Sequence, residues 1–249
     1  MPSLAVVVPA LNEARTLPRL LESLGWAADG SARPAGDEDA VEPPIVVDGG
    51  SADGTPDVAE RHGARVLRTA RGRGLQLAAG ARVAESAELL LFLHADTHVA
   101  PGSIGAVRRA FRRPDLVATG MVQRIEAEER IYRWIEGAAN RRVSLGWIYG
   151  DSGLAVRRSA YEEVGGFREE PLFEDLDLSR RLRRRGPVAL VEGARLYVSA
   201  RRWREEGAVR RSVRNWLLTA AWGLGVAPAR LERFYRPRTG GARAPGPTA

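Results

Sequence analysis

An apolar run passes directly into a glycine-rich turn at Ile45-Val46-Val47-Asp48-Gly49-Gly50-Ser51-Ala52-Asp53-Gly54-Thr55. The first four residues predict a buried strand, and Thr55 begins a helical pattern that continues to His62. The same order of strand, turn and helix recurs on both sides of this segment. We therefore predict an α/β fold in which helices flank a mixed, mostly parallel central sheet with right-handed crossovers.

The alternation of strands and helices extends over the first hundred residues. Further strands are predicted at 4–8, 64–68 and 89–93, and helices at 15–24 and from the Gly/Arg turn at 71–74 through Ala84. The second half is mixed, with helices at 103–112, 128–142, 174–185 and 208–222 and strands near 116–125, 149–157, 188–192 and 195–199. We expect one catalytic domain over 1–205, a helical extension packed on it over 206–237, and a flexible tail over 238–249.

The composition is typical of a folded protein without disulfides. The chain has 249 residues, 44% of them hydrophobic, and no cysteine, so it can bury a core and has no thiolate metal site. The N-terminus shows no secretory pattern, and the apolar run at 216–226 is too short to span a bilayer. We expect a cytoplasmic protein, with the inner face of the membrane as an alternative location.

Positive charge is concentrated near the C-terminus. The formal net charge is +7, every basic residue is arginine, and residues 195–249 contain 12 arginines against three acidic residues. Such a segment suits phosphate-rich ligands or anionic lipid. No recognition module for nucleic acid accompanies the charge, so nucleic acid is not an expected partner.

The helix predicted at 208–222 is amphipathic. One side carries Val209, Val213, Trp216, Leu217, Ala220 and Leu224, with arginines close by. The preferred interpretation is that this side packs against the catalytic domain. Peripheral contact with an anionic membrane and contact with a second copy in a homodimer are the alternatives.

Polar residues follow three of the predicted strands. The segment from Pro9 to Glu13 follows the first strand, Asp48 ends the second and Asp96 follows the fourth. Because ligands of open parallel sheets bind at the carboxyl ends of the strands, these residues predict a binding site. Asp48 accepts a hydrogen bond from a nucleobase in one interpretation; in the other, it forms a turn with Ser51 and caps the helix.

Asp96 is the strongest candidate for a metal ligand. A hard divalent cation binds carboxylate oxygens together with phosphate oxygens of a substrate. His94, two residues earlier, is either a second ligand, which would favour Mn²⁺ over Mg²⁺, or a hydrogen-bonded structural residue. The expected cofactor is therefore Mn²⁺ or Mg²⁺.

Two arginine-containing segments and one acidic pair complete the set of candidates. Arg71 and Arg73 precede a helix, and Arg201 and Arg202 precede Trp203; each segment suits phosphate binding or forms a solvated basic patch. The acidic pair of residues 174 and 175 opens the helix predicted at 174–185. Acidic residues there stabilise the helix dipole, or one of them takes a proton from an attacking hydroxyl.

Taken in order, these segments resemble the family 2 glycosyltransferases of the GT-A fold. The matching pieces are 8–13, 47–55, 93–96 and Glu174-Asp175, and the likeness spans residues 4 to about 205. The wider pattern includes Tyr149-Gly150-Asp151 and Ala200-Arg201-Arg202-Trp203. It is similar to a small bacterial subgroup labelled arsenosugar-biosynthesis glycosyltransferases.

This resemblance implies a metal-dependent, inverting transfer of a sugar from a nucleotide sugar, usually a UDP-sugar, to a hydroxyl-bearing acceptor. It implies a general base at Asp175 with Glu174 beside it, and a metal at Asp96 and His94. The residues implied to bind the nucleotide sugar are Pro9, Ala10, Asn12, Glu13, Asp48, Gly49, Arg71, Arg73 and Ala95. Those expected to contact the diphosphate are Arg201, Arg202 and Trp203, and those expected to contact the acceptor are Trp147, Tyr149, Gly150 and Asp151.

Three positions depart from the family pattern. Gly49 stands where many members have a second aspartate, His94 replaces the first aspartate of the Asp-x-Asp motif, and Ser199 replaces the glutamine of the Gln-x-x-Arg-Trp motif. Two other functions stay open. A nucleotidyltransferase normally opens with a glycine-rich loop that this chain lacks, and a non-catalytic nucleotide-sugar-binding protein would dock at a membrane.

Overall fold

A mixed sheet forms the centre of the protein in the computed structural model, which describes residues 1–34 and 36–235. Within those residues the sheet has eight strands in the order β3-β2-β1-β4-β7-β6-β8-β5. In chain order they are β1 (Leu4–Ala10), β2 (Ile45–Asp48), β3 (Arg65–Arg68), β4 (Leu89–Phe92), β5 (Thr97–Val99), β6 (Ala118–Ile125), β7 (Leu154–Arg157) and β8 (Val188–Val198).

Helices connect and cover these strands. They are α1 (Leu17–Ser23), α2 (Thr55–Arg61), α3 (Arg73–Val83), α4 (Ser103–Ala110), α5 (Arg130–Ser144), α6 (Arg158–Glu163), α7 (Glu174–Arg185), α8 (Arg201–Glu206), α9 (Ala208–Gly223) and α10 (Pro228–Tyr235). Short 3₁₀ turns occur at Asp37–Asp39 and Gly150–Ser152.

The pairing of the strands confirms the predicted α/β fold with a mixed, mostly parallel sheet. Strand β1 lies between β2 and β4 and is parallel to both, β2 is parallel to β3, and β6 is parallel to β8. The pairs β4–β7, β6–β7 and β5–β8 are antiparallel. The parallel half therefore brings the carboxyl ends of β1, β2 and β4 to one edge.

Two apolar layers cover the two faces of the sheet. In β1, Val6 and Val8 point into the layer formed with α1, α2 and α4, whereas Val7 points into the layer formed with α3, α6 and α7. Burial on both faces explains the unbroken apolar runs, because a strand covered on both sides does not alternate with polar residues. Helix α3 approaches β1 so closely that a Cβ at Gly80 would overlap Val7.

Strand β8 differs from the prediction. The sequence predicts strands at 188–192 and 195–199, but one strand runs over Val188–Val198. Its pairing with β6 shifts register between Met121 and Val122, where residue 121 pairs with Val191 and residue 122 with Arg195. The intervening residues form a bulge that resembles a turn when only the sequence is read, because it contains Gly193. The predicted strand at 149–157 likewise begins only at Leu154.

The C-terminal helices pack through a different side from the one predicted. The buried side of α9 contributes Leu218, which joins Leu172, Phe173, Leu176 and Leu231 in an apolar cluster. The side chosen from the sequence is exposed, so the prediction that it packs in the core is wrong; its exposed members are Val209, Val213, Trp216, Leu217 and Leu224. The tail predicted at 238–249 lies outside the described residues. Within the described part of the chain, no helix has the length and apolar character needed to cross a membrane.

Candidate functional site

Two adjoining cavities open at the carboxyl ends of β1 and β4. The wider one, here called the wide cleft, has a volume of about 600 Å³, within the range of small-molecule sites. Its walls include the predicted residues Pro9, Ala10, Glu13, Arg71, Arg73 and Ala95. The second, here called the inner cavity, adds Tyr149, Gly150, Asp151, Asp175 and Trp203. Residues that line both are Arg73, His94, Asp96, Leu172, Arg202 and Tyr235.

Arg202 lies between two carboxylates at the junction of the cavities. Its Nη2 is 3.5 Å from Asp96 Oδ2 and 3.9 Å from Glu13 Oε1. Burial raises the pKa of Glu13, and the nearby charge of Asp96 raises it further, although a hydrogen bond from Thr16 at 2.6 Å works in the opposite direction. Arg202 therefore contacts both carboxylates, and its charge and that of Arg201 act on the pKa of Glu13 in the lowering direction.

His94 and Asp96 occupy the turn that follows β4. The backbone amide and hydroxyl of Thr97 both donate to the His94 carbonyl, at 3.1 and 2.7 Å. Burial lowers the pKa of His94, and the charge of Arg73 lowers it further. The imidazole is therefore neutral at neutral pH, which is the form that binds a metal.

The side chains around this turn fit a metal ion that takes some of its ligands from the protein and the others from a substrate. Across residues 1–34 and 36–235, no three acidic or histidine side chains converge on one point. Asp96 and His94 would therefore supply at most two ligands, and phosphate oxygens and water would complete the coordination. Magnesium and manganese ions at phosphate-transfer sites are bound in this manner, through few protein ligands.

Asp175 lies at the start of α7 and lines the inner cavity. Its Oδ2 accepts from the Gly150 amide at 2.6 Å and its Oδ1 from the Leu176 amide at 2.7 Å. The side chain is 8% exposed. Phe173, the residue immediately before α7, has φ = 66°, a conformation that is costly for a bulky residue and persists where the surrounding packing imposes it. Gly150 lies between the side chains of His94 and Asp175. A Cβ at this position would overlap the His94 ring, so the site has room only for glycine here.

Glu174 contacts Arg73 rather than either cavity. Its carboxylate is 1% exposed and accepts a hydrogen bond from Arg73 Nε. Burial by itself would lower the pKa of Arg73, but Glu174 and Asp175 outweigh that effect and raise it. The guanidinium is thus held in its charged form, and the pair joins the N-termini of α3 and α7.

Comparison with known protein families identifies the family of the chain. Residues 5–165 match the family model described as glycosyl transferase family 2, which is more than half of the chain. The chain belongs to glycosyl transferase family 2. Comparison with curated protein sequences gave no significant match for this family 2 chain.

Several solved structures share the fold of this family 2 chain. The mannosyltransferase PcManGT from Pyrobaculum calidifontis, in complex with GDP-Man and Mn²⁺, is 18% identical, with a TM-score of 0.66 over 94% of this chain and 68% of that one. S. aureus TarS 1–349 is 14% identical, with a TM-score of 0.63 over 94% and 69%. Glucosyl-3-phosphoglycerate synthase from Mycobacterium tuberculosis, with Mn²⁺, UDP and phosphoglyceric acid, is 19% identical, with a TM-score of 0.61 over 90% and 79%. At these identities the likeness shows the fold.

Substitution of Arg73 in this family 2 chain should destabilise the fold. Arg73→Met leaves the buried Glu174 carboxylate without its cation, and breaking such a pair should cost roughly 2–4 kcal/mol of unfolding free energy. The loss should grow as the pH rises through the pKa of Glu174, which burial raises, because the folded state must then hold an unpaired charge. Urea unfolding at several pH values measures this. An unchanged free energy of unfolding at neutral pH would show that the pair is not structural.

Asp48 makes the hydrogen bonds of a turn, as one of its two interpretations predicts, and its contact with a nucleobase stays a prediction. Its carboxylate is 2% exposed and accepts from the backbone amides of Gly50 and Ser51 at 3.0–3.3 Å. It lines neither the wide cleft nor the inner cavity. Gly49 lies against Gln76, where a Cβ would come within 3.0 Å of the amide nitrogen. Both residues shape the loop that follows β2.

Asn12 also ties loops together and lies outside the lining of both cavities. Its side-chain Oδ1 accepts from the backbone amide of Ala52 at 2.9 Å, and its backbone amide donates to Ser51 Oγ at 2.8 Å. The loop after β1 is thereby fixed to the loop after β2. Asn12 therefore positions the predicted binding segment.

Trp147 and Arg201 lie away from the two cavities. The Trp147 ring lies beneath the Arg183 guanidinium, 4.5 Å from it, and packs with the apolar cluster below α9. Arg201 is an exposed residue at the start of α8. Of the residues predicted to contact the acceptor, Tyr149, Gly150 and Asp151 line the inner cavity. Of those predicted to contact the diphosphate, Arg202 and Trp203 line it.

The sequence did not predict several other residues of the site, among them one polar residue of α3 and three of the C-terminal helices. Gln76 is buried and its Nε2 donates to the carbonyls of Ala10 and Val47 at 2.9 and 2.7 Å, which joins the ends of β1 and β2. Asn215 and Thr219 of α9 and Tyr235 of α10 line the inner cavity. Asn215 and Thr219 are four residues apart in α9, so they lie on the same side of the helix, and this spacing of polar residues can be recognised in the sequence. Tyr235 gives none.

Proposed function

We propose that this family 2 chain is an inverting, metal-dependent glycosyltransferase that moves a sugar from a nucleotide sugar to a hydroxyl-bearing acceptor. The observation that carries the proposal is the convergence of three groups on the inner cavity: Asp96 as a carboxylate for a metal, Arg202 as a cation for phosphate, and Asp175 as a second carboxylate at a separate position. Sugar transfer needs these three functions together.

The wide cleft is the proposed donor site. Pro9, Ala10, Glu13 and Ala95 lie on its strand-end wall, where they would contact the nucleoside. The arginines at positions 71, 73 and 202 would bind the diphosphate, since guanidinium groups pair with phosphate oxygens in bidentate fashion. The PcManGT structure contains GDP-Man and Mn²⁺, and the glucosyl-3-phosphoglycerate synthase structure contains UDP and Mn²⁺. They support a nucleotide-sugar donor here, and we propose a UDP-sugar.

A metal in this site would be held by Asp96 and His94. Mn²⁺ or Mg²⁺ bound there supplies neutralisation of the charge that develops on the departing diphosphate. Arg202 contributes to the same stabilisation through its guanidinium, which is already fixed close to Asp96.

Asp175 is the proposed general base, with Tyr149, Gly150 and Asp151 beside the acceptor. Its carboxylate takes the proton of the acceptor hydroxyl while the hydroxyl oxygen attacks the anomeric carbon. The bond from that carbon to the diphosphate oxygen breaks on the opposite side, and its electron pair leaves with the diphosphate. A single displacement of this kind inverts the anomeric configuration. The Gly150 amide holds Asp175 Oδ2 during the step.

Nucleotide binding tests the donor site. UDP and GDP are added to the full chain with Mn²⁺, with Mg²⁺ and with EDTA, and the unfolding temperature is followed. A ligand that binds the folded state raises that temperature by mass action. The proposal expects a rise with one of the nucleotides that depends on metal. No rise with either nucleotide in the presence of either metal would contradict it.

We also propose that α9 and α10 dock on an anionic membrane. Val209, Val213, Leu217 and Phe234 line an exposed apolar groove together with arginines 210 and 214. A second copy would bring two arginine-rich faces together, which like-charge repulsion opposes. Residues 236–249 contain three arginines and no large apolar side chain, so they are poorly suited to cover the groove. Anionic lipid matches both the charge and the apolar character.

Membrane docking should fail when the groove receives a charge. The full chain should sediment with phosphatidylglycerol vesicles and not with phosphatidylcholine vesicles. Leu217→Asp should weaken that binding by about tenfold or more, because burying a leucine contributes roughly 1.5–3 kcal/mol. Leu145→Asp is the matched control, since Leu145 is 60% exposed against 66% for Leu217 and lies outside the groove. Equal binding by the two variants, or no binding by the unmodified chain, would contradict the docking proposal.

A further inference from the structure

We infer that a side chamber between α5, β6 and α9 binds the ring of a neutral, hydroxyl-rich acceptor. This inference rests on the proposed function and narrows the class of acceptor. The chamber has a volume of about 430 Å³. Its polar wall is formed by Gln123, Arg142, Asp151, Ser212, Asn215 and Thr219.

The side chamber is continuous with the inner cavity. Tyr149, Asp151, Trp203 and Asn215 line both spaces. Asp175, the proposed base, lies on the wall of the inner cavity. A small molecule seated in the chamber can therefore extend one hydroxyl towards Asp175 while the rest of its ring stays between the helices.

Residues that line the chamber carry buried polar atoms that have no hydrogen-bond partner within the described part of the protein. They are Gln123 Oε1, Arg142 Nε, Arg142 Nη2, Ser212 Oγ and Asn215 Oδ1. Gln123 is 1% exposed. Because almost all buried polar groups in folded proteins are hydrogen-bonded, unpartnered groups gathered on one cavity indicate that a ligand or ordered water completes them. Their common position on the wall is what distinguishes a binding site from scattered packing defects.

The chemistry of these atoms selects hydroxyl groups. Arg142 offers two N–H donors, whereas Gln123 and Asn215 offer carbonyl acceptors, and a hydroxyl both donates and accepts. The Gln123 amide donates through Nε2 to Asp151 Oδ2 at 3.3 Å, and this places Oε1 as the free atom. A phosphate or carboxylate would satisfy the donors but would meet the two carbonyl oxygens with like charge.

The balance of charge selects a neutral ligand. Among the described residues that line the chamber, Arg142 and Asp151 are the charged ones, and Arg142 Nη2 is 3.7 Å from Asp151 Oδ1. The wall therefore carries no net charge. Trp203 and Trp216 add flat apolar surfaces on which the C–H face of a sugar ring can pack. These features together fit a neutral sugar or a related cyclic polyol.

Helix α9 provides much of the polar wall of the chamber. The family match ends at residue 165, whereas Ser212, Asn215 and Thr219 all come from α9. This part of the wall therefore comes from the C-terminal extension, outside the region that matches the family model.

Binding of defined sugars tests the chamber. The full chain with Mn²⁺ is titrated with glucose, mannose, galactose and myo-inositol, and with glucose 6-phosphate, mannose 6-phosphate and galactose 6-phosphate, each with and without UDP. Asn215→Leu and Ser212→Ala remove polar atoms of the wall. Ser144→Ala is the matched control, because Ser144 is an exposed residue of α5 that lines none of these spaces. The UDP-induced shift in unfolding temperature, measured on every variant, reports the donor site and correct folding.

The expected result is that at least one neutral ligand binds and that the phosphorylated hexoses bind more weakly. The affinity of the chain for that neutral ligand should fall about fivefold or more in Asn215→Leu and in Ser212→Ala, and it should not change in Ser144→Ala. Binding of none of the neutral ligands, tighter binding of the phosphorylated hexoses, or affinity unaffected by both chamber variants would overturn the inference. Because UDP binding is read separately, failure at the chamber is distinguished from failure of the proposed donor site.

Discussion

Replacing Asp175 with asparagine should lower the rate of sugar transfer by about 10²–10⁴-fold and leave the affinity for UDP unchanged. The amide has the size of the carboxylate and can keep the hydrogen bond from the Gly150 amide, but it cannot take a proton from the acceptor. The effect should therefore appear in the rate of transfer and not in donor binding. Initial rates of transfer and calorimetric titration with UDP measure the two quantities.

The control for Asp175→Asn is the same change at Asp115. Asp115 is an exposed carboxylate whose pKa is lowered by a hydrogen bond from Arg113, and it lies in neither cavity. Asp115→Asn should transfer sugar at the unmodified rate. Full activity of Asp175→Asn would show that another group accepts the proton.

Replacing Asp96 with alanine should remove the metal-dependent part of the affinity for UDP. Asp96 supplies the proposed carboxylate ligand, and His94 alone holds a hard cation poorly. The loss should be at least as large as the roughly 10–100-fold typical of losing an outer-sphere partner of a metal site. Titration with UDP in Mn²⁺ and in EDTA separates the metal-dependent affinity from the remainder.

The EDTA measurement matters because Asp96 also contacts Arg202, at 3.5 Å. Removing the carboxylate frees that guanidinium for phosphate, so UDP affinity without metal should hold or rise. Asp57→Ala changes an exposed aspartate in the first turn of α2 and provides the matched control. If Asp96→Ala keeps the response of the unmodified chain to Mn²⁺, Asp96 is not the metal ligand.

Three strands of the parallel half were predictable because each of them is buried on both faces. Strands β1, β2 and β4 appear in the sequence as unbroken apolar runs, and each ends where a polar or glycine-rich segment begins. Helix α7 was predicted with both of its ends, 174 and 185, because acidic residues open it and Gly186 follows it. The bulge in β8 was not predictable, since it depends on pairing with β6.

Part of the cavity wall was predictable from the order of the strands in the sequence. His94 and Asp96 follow β4, whose carboxyl end lies beside those of β1 and β2, so their position follows from the topology. Asp175 opens a helix, and the family resemblance was what placed it at the site. The role of Asp48 depends on the geometry of two backbone amides, which the sequence does not give. The side chamber combines residues of α5, β6 and α9 that are far apart in the chain, and only the tertiary packing brings them together.

Release of nucleoside diphosphate is the most direct test of the proposed glycosyltransferase. The full chain is incubated with a panel of UDP-sugars and GDP-sugars in Mn²⁺, with and without the sugars that bind the side chamber, and with EDTA as the metal-free control. The proposed function predicts that at least one donor releases its nucleoside diphosphate in a metal-dependent reaction, and that a bound acceptor accelerates it. Absence of nucleoside diphosphate release from every donor, with and without an acceptor, would contradict it.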